Sequence, residues 1–167
     1  MAKAPKVQKT NAMRELERKG VPYVLHTYED DGEEARGLGE AIAAQLGEDP
    51  GRGFKTLVTV SPGGNHVVCC VPVAEELDFK AAAKAVGEKS LEMLPTKRLA
   101  AVTGYVRGGC SPIGMKRPFP TVFDESCVLY DAIYVSGGRR GIQLEVPVDE
   151  LLACVGAVTA DICRPRR

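Results

Sequence analysis

Lys55 is the residue most out of place in its own pattern. It stands in the apolar, β-branched run Phe54-Lys55-Thr56-Leu57-Val58-Thr59-Val60, where an ammonium group is costly unless it meets a cavity or a partner. Two readings fit the pattern: a lysine that snorkels to a sheet edge, and a lysine that faces a reacting group. The stretch Gly108-Gly109-Cys110-Ser111-Pro112-Ile113-Gly114 is the second chemical candidate. A backbone this rich in glycine can bend sharply and turn several N–H groups toward one oxygen, which is what a developing oxyanion requires. Ser136-Gly137-Gly138-Arg139-Arg140-Gly141 is a second glycine turn, and a hairpin tip is its ordinary reading.

Other chemistries find less support. The chain lacks C-x-x-C and H-E-x-x-H spacings and has two histidines, His26 and His66, so no metal is expected. A Ser-His-acid triad has no G-x-S-x-G elbow to carry it, and the histidines read as hydrogen-bonded structural residues. Asp124 and Glu125 would diverge on a strand. Cys110, beside basic residues in the glycine loop, reads either as a reactive thiol or as a small apolar plug. The other five cysteines fall in apolar patterns, and adjacent Cys69 and Cys70 would face opposite sides of a strand.

These residues need a scaffold of strands and short helices. A basic arm over residues 1–8, expected to be flexible, precedes a helix with Met13 and Leu16 on one face, closed by Gly20. A strand over about 22–28 follows, then an acidic turn over 29–34 and a helix apolar at Leu38, Ile42 and Leu46, ended by Gly47. Residues 54–60 and 66–73 predict a hairpin through Ser61-Pro62-Gly63-Gly64-Asn65. Asp78 is the expected N-cap of a helix through Val86, with Gly87 as its stop. A short strand near Leu91 and a helix up to Thr103 lead into residues 104–120, which lack either period and read as a defined loop. Strands over 121–123, 132–136 and 141–146, a helix over 148–155 and a last strand near 158–163 complete one domain over 1–167. The expected class is mixed α/β, with a mostly antiparallel, barrel-like sheet and peripheral helices.

Composition supports an ordinary globule: 44% hydrophobic and 26% charged residues in 167. No signal peptide or membrane span is expected, because charges from Lys3 to Glu17 interrupt any early apolar run. Reduced cysteines fit the cytoplasm. The 22 basic and 22 acidic residues cancel, so a polyanion must be met by a local patch rather than by a global field.

Taken together, Phe54-Lys55-Thr56-Leu57, Thr103-Gly104-Tyr105, the loop GGCSPIG and Tyr134-Val135-Ser136-Gly137-Gly138, in this order and spacing, resemble the YbaK family of Cys-tRNA(Pro) deacylases. These are relatives of the editing domain inserted in some prolyl-tRNA synthetases. The resemblance runs from His26-Thr27-Tyr28 to the C-terminal strand. It implies hydrolysis of the ester between a wrong amino acid and tRNA(Pro), and also of Cys-tRNA(Cys), with no cofactor and with the substrate thiol as the nucleophile. A second, hydrolytic site of this kind is needed where a pocket cannot reject a near-isostere.

The resemblance assigns Lys55, Gly108 and Gly109 to catalysis: the lysine orients the terminal adenosine, and the glycines give room and donors at the carbonyl. It matches Tyr28, Thr56, Ser111, Ser136 and Gly137 to substrate contacts. Arg107, Lys116, Arg117, Arg139 and Arg140 flank these turns, where an acceptor stem's phosphates would lie. Aminoacyl-tRNA is thus the expected partner, and prolyl-tRNA synthetase a second. Two positions depart from the family's pattern. Cys110 stands where an aliphatic residue is usual, and Gln143 where many members carry an acid. Ala-tRNA(Pro) as substrate, a module that only binds tRNA or the synthetase, and a Cys110 thiol enzyme are the alternative readings.

Overall fold

The computed structural model describes residues 7–29 and 38–165, with 38–40 described by their backbone alone. Residues 1–6 of the expected flexible arm over 1–8, and Asp30 to Glu34 of the expected acidic turn over 29–34, lie outside the described residues. Val7 packs against the main core.

Helix α1 (Asn11–Arg18) starts where the Thr10 hydroxyl accepts the Met13 N–H, and it buries Ala12, Met13 and Leu16. After strand β1 (Val24–Thr27), helix α2 (Leu38–Leu46) ends at Gly47, φ 69°. The Glu48 N–H then donates back to the Ala43 carbonyl at 2.8 Å, the bond that closes a left-handed helix end. A 3-10 turn over Pro50–Arg52 leads into β2 (Phe54–Val60) and β3 (His66–Pro72). These pair antiparallel from Phe54↔Pro72 to Val60↔His66, as the hairpin pattern predicts. Then come β4 (Glu75–Leu77), α3 (Phe79–Val86) between its Asp78 cap and Gly87, β5 (Glu92–Met93) and α4 (Thr96–Thr103). The irregular segment after α4 gives way to β6 (Thr121–Asp124), a 3-10 stretch over Glu125–Leu129, β7 (Ala132–Ser136) and β8 (Ile142–Pro147). Helix α5 (Val148–Val155), β9 (Val158–Ala160) and β10 (Cys163–Pro165) end the fold.

The last strand of the sequence pattern divides in two. The buried Asp124 carboxylate accepts the Ile162 N–H at 3.1 Å, and the Ile162 carbonyl accepts from the Asp78 N–H at 2.7 Å. Those bonds take Ile162 out of any ladder. Residues before it join β6 in parallel, and residues after it pair antiparallel with β4, a strand the sequence did not signal.

The described strands form three sheets, ordered β1-β8-β7, β5-β2-β3-β6-β9 and β10-β4. Most pairings are antiparallel, β3-β6 and β6-β9 being parallel. A single parallel bridge, Gly53↔Tyr134, ties the first sheet to the second, and no ring of pairings closes into a barrel among the described residues. Period-2 alternation divides the β3 side chains between two cores. Val68 and Cys70 join the main core with Phe54, Phe123 and Leu144. Val67, Cys69 and Val71 join a second core with Leu77, Ala82 and Ile162. Adjacent Cys69 and Cys70 thus face opposite ways, and burial, partly opposed by a hydrogen bond with Thr59, pushes the Cys69 thiol up to about 11.

Candidate active site

The β1-β8-β7 sheet has two unlike faces. Leu25, Ile133, Val135, Ile142, Leu144 and Val146 turn inward to the main core. By alternation His26, Tyr134, Ser136, Gln143 and Glu145 share the outward face, and the register sets them in rows. His26 is opposite Gln143, and Gln143 is opposite Ser136; Glu145 stands opposite Tyr134. Neighbouring hydrogen bonds tie these residues to one another. His26 Nε2 lies 3.0 Å from Glu145 Oε1, and Arg52 Nη2 lies 3.4 Å from Glu145 Oε2 while its Nε and Nη2 donate to the Ala132 carbonyl. The Arg52 guanidinium sits 4.8 Å from the Tyr134 ring centre, and His26 meets that ring edge-on. With its amide nitrogen turned toward the carboxylate, Gln143 donates to both Glu48 oxygens, at 2.9 and 3.1 Å.

Lys55 reaches this face through the Gly53↔Tyr134 bridge. Two residues further along both parallel strands, Lys55 comes level with Ser136. The row then reads His26, Gln143, Ser136, Lys55 across four strands. The bridge is isolated, so β2 and β7 run side by side here without a continuous ladder. Lys55 is half-buried there. Tyr28 continues the His26 side of β1, its N–H donating to the Gly141 carbonyl at 2.9 Å. Thr56 faces the other way: its hydroxyl lies 3.8 Å from the Cys70 sulfur in the main core. Strand alternation therefore separates the two neighbours Lys55 and Thr56.

The glycine loop packs on the second glycine turn with no space to spare. A Cβ on Gly109 would lie 2.7 Å from Arg139 Cα, and one on Gly108 would lie 2.7 Å from Arg140 Nη1. The backbone contact demands a glycine at 109, while Gly108 is required by its φ of 85°. Cys110 continues into a cluster with Val58, Leu94 and Tyr105, so the loop runs from the β7–β8 turn across to β2. Helix α1 clasps both turns: the Thr10 hydroxyl donates to the Gly137 carbonyl at 2.6 Å, and Gly114 abuts the Asn11 backbone, where a Cβ would lie 2.6 Å from the carbonyl oxygen.

Local bonds already engage several of the sequence candidates. The Gly109 N–H donates to the Val106 carbonyl, which leaves Gly108 as the one of the two candidate glycines whose N–H has no turn bond among the described residues. Ser111 is fully buried, and its hydroxyl accepts the Ile113 N–H at 3.2 Å, a turn-holding position inside the loop. The half-buried Ser136 accepts the Gly138 N–H at 3.3 Å. Burial pushes the Cys110 thiol up to about 12, so it is neutral at physiological pH and fits the apolar plug rather than a nucleophile. His66 packs against Phe119 away from this face.

The basic residues divide into two groups. Exposed Arg107 and Arg139 and half-buried Arg140 flank the contact between the glycine turns. Lys116 and Arg117 line a separate cavity of about 370 Å³ with Arg18, Lys19, Phe119 and Cys154. That cavity lies between α1, α5 and the far end of the loop, not at Lys55. The sequence also gave no sign of Glu48, Arg52 and Glu145 as site residues, because each is an ordinary surface charge in its own segment. Only the pairing of β1 with β8 and the closing turn of α2 gather them. Asp124, Asp161 and Cys163 gather three potential metal ligands, but Asp124 is committed to the Ile162 and Ser126 N–H groups.

Comparison with known proteins bears on the family and the fold. The family model described as "Aminoacyl-tRNA editing domain" matches residues 33–154. An Enterococcus faecalis protein named "Putative Cys-tRNA(Pro)/Cys-tRNA(Cys) deacylase EbsC" is 48% identical over 162 residues, 97% of this chain and 98% of its own. A crystal structure titled as "a putative trans-editing enzyme for prolyl tRNA synthetase" superposes with a TM-score of 0.77 at 25% identity, over 92% of this chain and 95% of that one. A hypothetical protein shares the fold at 24% identity, with a TM-score of 0.80 over 93% of this chain and all of that one. With its glycine turns, half-buried lysine and polar sheet face in place, this chain belongs to the aminoacyl-tRNA editing domain family.

Proposed function

We propose that this protein is a trans-editing hydrolase that removes cysteine from mischarged Cys-tRNA(Pro), and from Cys-tRNA(Cys), by cleaving the aminoacyl ester. The observation that carries the reading is the near full-length identity of 48% to a protein named for that activity, supported by the Gly53↔Tyr134 bridge that sets the Lys55 strand beside the Ser136 strand. Lys55 orients the terminal ribose and adenosine and offsets negative charge near the ester. Gly108 supplies room and a donor at the carbonyl. Tyr28, Ser136 and Gly137 border the substrate, while Thr56 and Ser111 support the surrounding walls.

The nucleophile in this reading is the thiol of the substrate itself, which attacks its own ester carbonyl and leaves as a cyclic thioester while the tRNA hydroxyl departs. Two observations support it. Among the described residues no Ser-His-acid set assembles, because His26 and Ser136 are separated by the β8 strand, roughly 10 Å at the usual strand spacing. The Cys110 thiol is neutral. Arg107, Arg139 and Arg140 border the glycine turns and meet acceptor-stem phosphates; Lys116 and Arg117 take a more distant part of the stem. The whole chain acts as one editing domain in the cytoplasm. The balanced net charge favours help from prolyl-tRNA synthetase in choosing the tRNA, and equal discrimination with and without the synthetase removes that partner.

The test is a deacylation panel of Cys-, Ala- and Pro-tRNA(Pro) beside Ser-tRNA. Rapid hydrolysis of the Cys ester alone is expected. A preference for Ala-tRNA(Pro), or binding without turnover of any ester, overturns the reading.

A further inference from the structure

Glu145 and Glu48 both bear on the polar face of the β1-β8-β7 sheet, and they differ in their direct partners. Glu145 is already engaged at both oxygens, with His26 Nε2 at one and the Arg52 guanidinium at the other. Glu48 has both oxygens on the neutral amide nitrogen of Gln143, and among the described residues it has no ion-pair partner. Its position is not left to chance. The left-handed turn at Gly47 and the Glu48-to-Ala43 backbone bond fix where α2 delivers it, and the amide holds its carboxylate over Gln143, the middle of the row that ends at Lys55.

That placement suits one part of an aminoacyl ester. The α-ammonium group is separated from the ester carbonyl by a single carbon, so whatever binds it must stand beside the carbonyl and away from the group that holds the ribose. Lys55 lies at the ribose end of the row. Gln143 stands two strands away, roughly 10 Å at normal spacing, and Glu48 above it is the carboxylate free to accept a cation. Partial burial raises the Glu48 carboxyl above its ordinary range, the Glu145 charge adds to this, and His26, Arg52 and the Gln143 amide oppose it. An arriving ammonium relieves that burial cost and makes a charge-assisted hydrogen bond, stronger than one between neutral groups.

We propose that Glu48 binds the α-ammonium group of the aminoacyl moiety, so that the site takes esters with a free α-amino group and discriminates against N-blocked ones such as N-acylated or peptidyl-tRNA. The inference rests on the aminoacyl-ester reading above and adds the residue that reads the amino group. A Gln at 143 then serves as the bracket that orients the acid supplied by residue 48.

The experiment compares single-turnover hydrolysis of Cys-tRNA(Pro) and N-acetyl-Cys-tRNA(Pro) at about pH 6.5, below the usual α-amino pKa of roughly 7.7. Wild-type protein is expected to prefer the free amine by about 10- to 100-fold, the range of a hydrogen bond to a charged group. In Glu48→Gln the preference collapses to within about twofold, because the free ester slows while the acetylated one does not, at an unchanged melting temperature. Glu48→Ala, which removes the same charge with a different shape, must give the same collapse. A folded variant of either kind that keeps the wild-type preference, or that slows both esters equally, overturns the inference. So does a wild-type protein that cleaves both esters equally well. A wild-type protein that cleaves no aminoacyl-tRNA overturns the function reading and this inference together.

Discussion

The two faces of the β1-β8-β7 sheet are built from the same strands and serve different ends. On the inner face Ile133, Val135, Leu144 and Val146 are fully buried in an apolar core. On the outer face, one residue further along each strand, His26, Ser136, Gln143 and Glu145 form a polar surface joined to Lys55, Arg52 and Glu48. The inner face holds the strands in register by burial. The outer face uses that register to place polar groups at set spacings. The contrast teaches that one substitution can test one face, provided stability and activity are both measured.

The largest effect is expected on the inner face. Leu144→Ala leaves a cavity between β8 and α5's side of the core and costs about 2–5 kcal/mol of stability; chemical denaturation measures it, and the protein that remains folded keeps its deacylase rate. Next comes the outer face. Lys55→Ala is expected to lower kcat/KM by about 100-fold, or roughly 2.7 kcal/mol, with the melting temperature held. A variant that keeps full activity removes the lysine from the mechanism. Gly109→Ala tests where the faces meet. Its Cβ would collide with Arg139 backbone atoms, so the glycine turns must move apart, costing about 1–3 kcal/mol and lowering activity more than the loss of folded protein accounts for.

Smaller effects sharpen the same contrast. Glu145→Gln removes the shared anion of His26 and Arg52 and is expected to cost about 1 kcal/mol, read as a small melting shift, with the core face untouched. Cys110→Ala should leave deacylation within about twofold. The thiol with its pKa near 12 stays protonated at pH 6–9, so iodoacetamide should not label it in the folded protein over that range and activity should not titrate with it. Rapid labelling at pH 8 with loss of activity would reverse the plug assignment.

Much of the scaffold was legible from local signals. Thr10 at the start of α1 was not singled out, but Gly20, Gly47, Gly87 and the Asp78 cap marked helix ends that the structure keeps. The hairpin through Ser61 to Asn65 holds residue by residue. The site was legible only in part. Lys55 was visible because a charge interrupts an apolar period. Glu48, Arg52 and Glu145 were not, since in their own segments nothing distinguishes them from solvated charges. The division near Ile162 was hidden for a related reason: it follows from the distant Asp124 and Asp78.

By itself the sequence determined where helices stop, which residues of each strand share a face, and that a lysine and two glycine turns were candidates for chemistry. Those properties depend on neighbours within a few positions and on the periods of helix and strand. Tertiary structure alone decided that β1 pairs with β8, that β2 meets β7 through the Gly53↔Tyr134 bridge, and that Glu48 comes to rest over Gln143. Such choices arise from contacts between residues 81 to 117 positions apart, from Gly53 and Tyr134 to His26 and Gln143, and local spacing carries no record of which surfaces will meet.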